Sequence, residues 1–170
     1  AKRTHDALTR FGFGTPTGID LPAEDDGRLF PLRKWNVYSE TSVPMGHEIM
    51  VTPLQLATAM AAIANGGTLY RPWVVKRVET SDGIVVAEGG PQAVRRVVSE
   101  KAAREMVEIL TATVKDGTGK RAAVEGVKVA GKTGTSQKID PVTKRYTHEK
   151  FISSFVGFAP AEDPKVCIAV

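Results

Sequence analysis

Cysteine is nearly absent from this chain. The single thiol, Cys167, excludes an internal disulfide framework and a thiolate zinc site, and leaves the compartment open. Histidine is almost as scarce: His5, His47 and His148 stand apart with no partner at ligand spacing, so a surface or packing role suits each. No apolar run is long. The longest, Leu54 to Ala64, falls short of the about 20 residues that a membrane span needs. The opening Ala1-Lys2-Arg3-Thr4-His5-Asp6 has no apolar stretch of the kind found in a signal peptide. Charge of one sign does not cluster either. Twenty-three basic against nineteen acidic residues leave +4, spread along the chain rather than gathered into a nucleic-acid footprint. No internal repeat or low-complexity tract is present.

What remains is an ordinary globular composition. The chain has 170 residues, 42% apolar and 25% charged, enough for one domain with a sizeable core. Sixteen glycines and ten prolines predict many turns. Residues 1–11 read as the tail of a helix, with Leu8 and Phe11 on one face and Gly12 as its cap. A long Gly/Pro-rich loop follows from Gly12 through the acidic Glu24-Asp25-Asp26 to Gly27, and a connection of this length is expected to be functional or wrapped tightly on the surface. Asp20, Glu24, Asp25 and Asp26 lack calcium-loop spacing, so their plain reading is a solvated acidic loop. Thr52-Pro53-Leu54-Gln55 is a capping box that opens a buried, small-residue helix ended by Asn65-Gly66-Gly67. Val74, Val75 and Val78, the turn Ser81-Asp82-Gly83 and then Ile84-Val85-Val86 predict a β-hairpin. A second helix starts at Ser99, with Ala103, Met106, Val107, Leu110 and Val114 as its apolar stripe and Glu100–Arg104 and Arg104–Glu108 as ion pairs. Three strands close the chain: Val127 to Gln137, Phe151 to Ala159 and Lys165 to Val170, the first two joined by a polar loop over 138–150. Helices set apart from an antiparallel meander predict an α+β fold. The last strand stops inside an apolar run with no turn after it, so the expectation is a domain truncated at both ends.

Most motif-like features dissolve on inspection. Gly12-x-Gly14 follows a helix rather than a strand and opens no helix, so it is no dinucleotide fingerprint. Gly119-Lys120 lacks the glycine cradle and the magnesium-binding hydroxyl of a P-loop. One segment resists a bland reading: Gly131-Lys132-Thr133-Gly134-Thr135-Ser136. Interior glycines weaken a strand and mark a close approach of another backbone. One cation and two hydroxyls lie beside that approach. Thr133 and Thr135 share a face, and with Lys132 they could hold a carboxylate. An extended substrate could pair along the strand, and N–H groups there could serve an oxyanion. Ideal alternation puts Lys132 on the opposite face, so it must reach the cleft by its length or by strand twist.

Lys132-Thr133-Gly134 matches the third signature motif of penicillin-binding proteins and serine β-lactamases. Phe11-Gly12-Phe13-Gly14, Thr17-Gly18-Ile19-Asp20-Leu21-Pro22, Trp35, Met45-Gly46, Val51-Thr52-Pro53-Leu54-Gln55-Leu56-Ala57, Ile63-Ala64-Asn65-Gly66-Gly67 and Pro72 follow in family order. Over essentially its whole length the chain resembles the monofunctional class B penicillin-binding proteins, most of all the division-type (septal) enzymes. The resemblance implies the C-terminal part of a transpeptidase domain over residues 1–170, with an antiparallel sheet flanked by helices and incomplete in this chain. It implies peptidoglycan D,D-transpeptidase activity through a serine acyl-enzyme, inhibited by β-lactams. Lys132 and Thr135 would be catalytic, Lys132 through positive potential and proton traffic, Thr135 through a backbone N–H that is half of the oxyanion hole. Thr133, Gly134, Thr135, Ser136 and Phe151 would bind substrate. Gly134 would keep the strand open to the substrate backbone, and Phe151 would form an aromatic wall or pack in the core. No cofactor or metal is implied. The implied partners are peptidoglycan stem peptides ending in D-Ala-D-Ala, β-lactam antibiotics and division proteins including a glycosyltransferase, with no nucleic acid. The implied location is the outer face of the cytoplasmic membrane, held by an N-terminal anchor outside this chain.

The sequence departs from the family pattern in one respect. None of its seven serines, at 39, 42, 81, 99, 136, 153 and 154, has Lys three residues on or Asn two residues on. The family needs Ser-x-x-Lys and Ser-x-Asn, so both are expected upstream of Ala1 and this segment alone is not competent. A β-lactamase, a β-lactam sensor or a non-catalytic scaffold of the same fold remains an alternative.

Overall fold

The computed structural model describes residues 1–141, 143 and 146–170. In chain order the elements are α1 (Lys2–Arg10), β1 (Arg28–Leu29), α2 (Ser39–Ser42), β2 (Ile49–Met50), α3 (Pro53–Ala64), β3 (Thr68–Arg71), β4 (Arg77–Glu79), β5 (Val85–Glu88), β6 (Gln92–Arg96), α4 (Glu100–Lys115), β7 (Ala130–Ile139), β8 (Tyr146–Ala159) and β9 (Val166–Ala169). Every described strand pair is antiparallel: β1 with β2, β3 with β6, β4 with β5, and the three-stranded sheet β7-β8-β9. The α+β expectation holds.

Helix ends form where the side chains allow. At α3, the Gln55 N–H donates to Thr52 Oγ1 at 3.1 Å and the Thr52 N–H donates to Gln55 Oε1 at 3.0 Å, which completes the capping box. The far end closes with Gly67 N–H on Ala62 O, a turn that needs the left-handed conformation Gly66 takes at φ +86°. Helix α1 ends the same way on Gly12. Helix α4 is capped by Ser99, whose hydroxyl accepts from the Ala102 N–H. Its inner face carries Ala103, Leu110 and Val114 fully buried and Val107 partly so. Met106 is 40% exposed, a correction to the expected stripe: buried positions step by four, seven and eleven from Ala103, and Met106 falls at the edge of that face. Arg104 pairs with Glu100, and Arg96 shares that carboxylate, in place of the expected link to Glu108.

Two apolar centres hold the layers together. Leu110, Ala130, Phe158 and Ala161 join α4 to the β7-β8-β9 sheet, with Met60 and Ile63 of α3 and Cys167 of β9 against them. Ala62, Leu69 and Val97 join α3 to the β3–β6 pair, and Phe11 at the end of α1 packs there. Cys167 is half-buried, its Sγ 3.4 Å from Ala57 O, and desolvation pushes its pKa up.

Three expectations need correction. First, the loop through Gly27 keeps Asp20, Asp25 and Asp26 exposed, as expected, but it is pinned rather than free. The Asp20 carboxylate accepts from the Val75 and Val74 N–H groups at 2.8 and 2.9 Å, and Glu24 accepts from Thr17 and Gly18. Gln55, 2% exposed, donates both amide protons to loop carbonyls, Thr15 O and Asp26 O, each at 2.9 Å. Second, Val74 and Val75 lie outside the expected hairpin because Asp20 already takes their N–H groups; the hairpin is β4–β5, shifted along the chain. Third, the polar loop over 138–150 is much shorter. Of its residues, 142, 144 and 145 lie outside the described part, while 138, 139 and 146–150 belong to β7 and β8, whose pairing runs past a register shift to Ile139↔Tyr146. Ladder bonds are made by the backbone, so polar side chains do not end them. Val127 to Val129 conversely precede β7, and Val127 only bridges Val124.

Gln55→Leu leaves two loop carbonyls and the Thr52 N–H without partners, and should lower unfolding free energy by on the order of 3 kcal/mol, read by denaturant or thermal melting. The Asp20 carboxyl is held below its ordinary value by the Val75 and Val74 N–H groups. A depressed folded-state pKa adds stability above the unfolded value and loses it as pH falls through the folded one. Asp20→Asn should therefore lower the melting temperature near neutral pH and make its fall below about pH 4 shallower.

Candidate active-site strand

The segment singled out in the sequence lies on β7, the outer strand of its sheet among the described residues. Facing pairs are Lys132↔Val156, Thr133↔Phe155, Gly134↔Ser154, Thr135↔Ser153, Ser136↔Ile152 and Gln137↔Phe151. Directly opposed residues share a face, so Thr133, Thr135 and Phe151 stand on one face, and Lys132, Gly134 and Ser136 on the other. The expected set is thereby divided. Phe151 is 47% exposed, which removes the core-packing reading. Ser136 is separated from the two threonines by the strand itself.

The ladder also fixes where the backbone of β7 points. Phe155 exchanges both its backbone hydrogen bonds with Val170, its N–H on Val170 O at 3.0 Å and its carbonyl taking the Val170 N–H at 2.8 Å. Its main chain therefore faces away from β7, and Thr133 opposite it belongs to a non-hydrogen-bonded pair. The N–H and C=O of Thr133 then point to the free edge, and by alternation so do those of Thr135. Lys132 confirms the direction. Its side chain starts on the opposite face, as alternation predicts, but curls around the edge to donate from Nζ to Thr133 O at 2.7 Å, with Thr133 Oγ1 at 3.4 Å. An ammonium, two hydroxyls and an outward N–H thus meet along one unpaired edge.

The glycines serve the neighbouring strand. A Cβ on Gly134 would sit 2.5 Å from Ser154 Oγ, and one on Gly131 would collide with the Phe155 ring and lie 2.9 Å from Val156 O. A Cβ on Gly157 would meet the same ring at 2.9 Å. The space a side chain at position 134 would take is therefore filled by a hydroxyl of β8.

Two partners escaped the sequence reading. Thr118, in the turn that stops α4, shares a 2.9 Å hydrogen bond with Thr133 Oγ1. The signal available was a threonine set between Gly117 and Gly119. His47 packs edge-on against Tyr146 at 4.9 Å between ring centres, so the loop before α3 braces the far end of the β7–β8 ribbon, in keeping with the packing role expected of it. The side chain of His148 lies outside the described part. Among the described residues no three His, Cys, Asp or Glu side chains converge as metal ligands, and no helix is long and apolar enough to cross a membrane.

The family model for the penicillin binding protein transpeptidase domain matches residues 1–170. The chain belongs to this family. It is 40% identical to stage V sporulation protein D of Bacillus subtilis, over 94% of this chain and 25% of that protein. It is 32% identical to peptidoglycan D,D-transpeptidase FtsI of Escherichia coli, over 97% of this chain and 26% of that one. The penicillin-binding protein 3 of Mycobacterium tuberculosis, solved in complex with ampicillin, superposes with a TM-score of 0.94 at 34% identity, covering 99% of this chain and 39% of that chain. The resemblance read from the motifs is borne out, and so is the penicillin-binding fold. The chain spans about a quarter of the length of the curated relatives it matches.

The two glycines of the family motif segment should respond differently to alanine. At Gly131 the intruding methyl meets a ring and a backbone oxygen, so Gly131→Ala should cost about 1–3 kcal/mol in thermal unfolding. At Gly134 it meets only a hydroxyl that can change rotamer, so Gly134→Ala should cost less, and Ser154→Ala should restore most of that loss.

Proposed function

We propose that residues 1–170 are the part of a serine-type peptidoglycan D,D-transpeptidase that carries the wall of its active site built on β7. The observation that carries the reading is the outward Thr135 N–H on an unpaired strand edge, beside the Thr133 and Thr135 hydroxyls and the Lys132 ammonium. A D-alanyl-D-alanine terminus has two features that such an edge matches: an extended peptide backbone and a terminal carboxylate.

In this reading the peptide lies alongside β7 as an added strand. The hydroxyls of Thr133 and Thr135 donate to the carboxylate, and the Lys132 charge favours it. The nucleophile is a serine outside these 170 residues, since none of the seven here carries the Ser-x-x-Lys or Ser-x-Asn pattern. Its oxygen attacks the penultimate carbonyl carbon. The Thr135 N–H takes part of the negative charge that develops on the carbonyl oxygen. An ester forms at the serine, the amide bond to the terminal D-alanine breaks, and the serine proton leaves with the D-alanine amine. An amine of a neighbouring stem peptide then attacks the ester, the amide cross-link forms, and the serine recovers its proton. A β-lactam offers the same carboxylate and an acyl carbon in a ring, so its leaving group stays attached and the ester persists. The M. tuberculosis relative solved with ampicillin supports this inhibitor class. Phe151, on the Thr135 face, forms an aromatic wall at the end of the groove. Ser136 has no direct role. The substrate sets the location, outside the cytoplasmic membrane with an anchor beyond these residues, and a glycan-polymerising partner of the division machinery.

A fluorescent penicillin should label the protein when its native flanking sequence is present, with slow release. Lys132→Ala should reduce the labelling rate by about a hundredfold or more, the scale seen for loss of one charge-stabilising group. Absence of labelling in the unmodified protein overturns the proposal, and rapid turnover of a chromogenic cephalosporin would make it a β-lactamase instead.

A further inference from the structure

The hydrogen bond between Thr118 and Thr133 joins the helix layer to the reactive edge, and the transpeptidase reading leaves it without a role. Helix α4 is anchored in the core by Leu110 and Val114, 7% and 3% exposed. Its end is wrapped tightly: the Gly117 and Gly119 N–H groups both donate to Thr113 O, at 3.1 and 3.0 Å. Neither position has room for a side chain. A Cβ on Gly117 would lie 2.8 Å from Thr113 O, and one on Gly119 would lie 3.2 Å from Thr113 O and from Val114 Cα. Thr118, between them, is exposed and is the one residue of the three that can project a side chain, which reaches Thr133 Oγ1 at 2.9 Å.

The proton directions follow from the chemistry of the groups. An ammonium only donates, so Thr133 Oγ1 accepts from Lys132 Nζ and sends its own proton to Thr118. A carboxylate only accepts, so when one arrives the Thr133 proton must turn to it. A hydroxyl at 118 can then reverse and donate to Thr133, and the oxygen keeps its position and its rotamer in both states. An apolar side chain at 118 cannot do this.

Resting on the transpeptidase reading, we propose that Thr118 is a positioning residue that holds the Thr133 hydroxyl for a carboxylate-bearing acyl donor. Thr118→Val should slow acylation by benzylpenicillin roughly tenfold, about the effect of one hydrogen bond to a charged group. The loss should fall on the binding constant that precedes acylation, with the limiting acylation rate kept. Thr118→Ser should behave as the unmodified protein. Penicillin methyl ester, which has no anionic carboxylate, should acylate all three at one rate. The melting temperatures should coincide, and Thr118→Ala removes the same hydroxyl should the valine fold poorly. Equal benzylpenicillin kinetics in Thr118→Val and the unmodified protein would overturn the proposal, as would an equal loss with acid and ester. In both cases the unmodified protein is labelled, so the transpeptidase reading stands; if the unmodified protein takes no penicillin, that reading itself falls.

Discussion

The open edge of β7 depends on how that strand lies against β8. Gly131, Gly134 and Gly157 leave three gaps in the ladder, and Phe155 and Ser154 fill them. This interlock sets the register, and register decides everything about the edge. A slip of one residue would exchange the faces of all side chains. It would also turn the Thr133 and Thr135 N–H groups inward to β8 and bring those of Lys132 and Gly134 to the free side. The motif would keep its composition and lose its geometry.

Around that ribbon the fold supplies braces of different kinds. The apolar contact of Phe158 and Ala130 with Leu110 fixes the sheet to α4. From the end of the same helix, the glycine-flanked turn brings Thr118 to Thr133. At the far end of the ribbon, His47 packs on Tyr146. The buried Gln55 ties α3 to the loop through Gly27, and Asp20 ties that loop to the strand-rich segment after β3. The site therefore stands on elements distant in sequence, which is the condition for holding an ammonium and two hydroxyls in place without help from substrate.

Much of this was legible from residue order. The capping box at Thr52 and Gln55, the glycine ends of α1 and α3, the cap at Ser99 and the antiparallel meander all rest on local chemistry, and each formed as its residues predict. The segment Gly131–Ser136 stood out for the right reason, its two interior glycines, although what approaches them is β8 rather than a ligand. The misreadings share one cause. Asp20 looks like an unattached surface acid until Val74 and Val75, more than fifty residues away, supply their N–H groups. The stretch 138–150 looks like a loop because its side chains are polar, yet backbone pairing continues through much of it.

By itself the sequence determined where helices start and stop, that Thr133 and Thr135 share a face opposite Lys132, and which family the motifs match, because these follow from short-range sterics, hydrogen-bond chemistry and the order of residues along the chain. Only the tertiary structure decided that β7 presents its threonine N–H groups to an open edge, that Lys132 curls round to them, that Ser136 stands apart, and that Thr118 completes the cluster. Those outcomes depend on which strand pairs with which, and in what register, and pairing is settled by contacts among residues far apart in sequence.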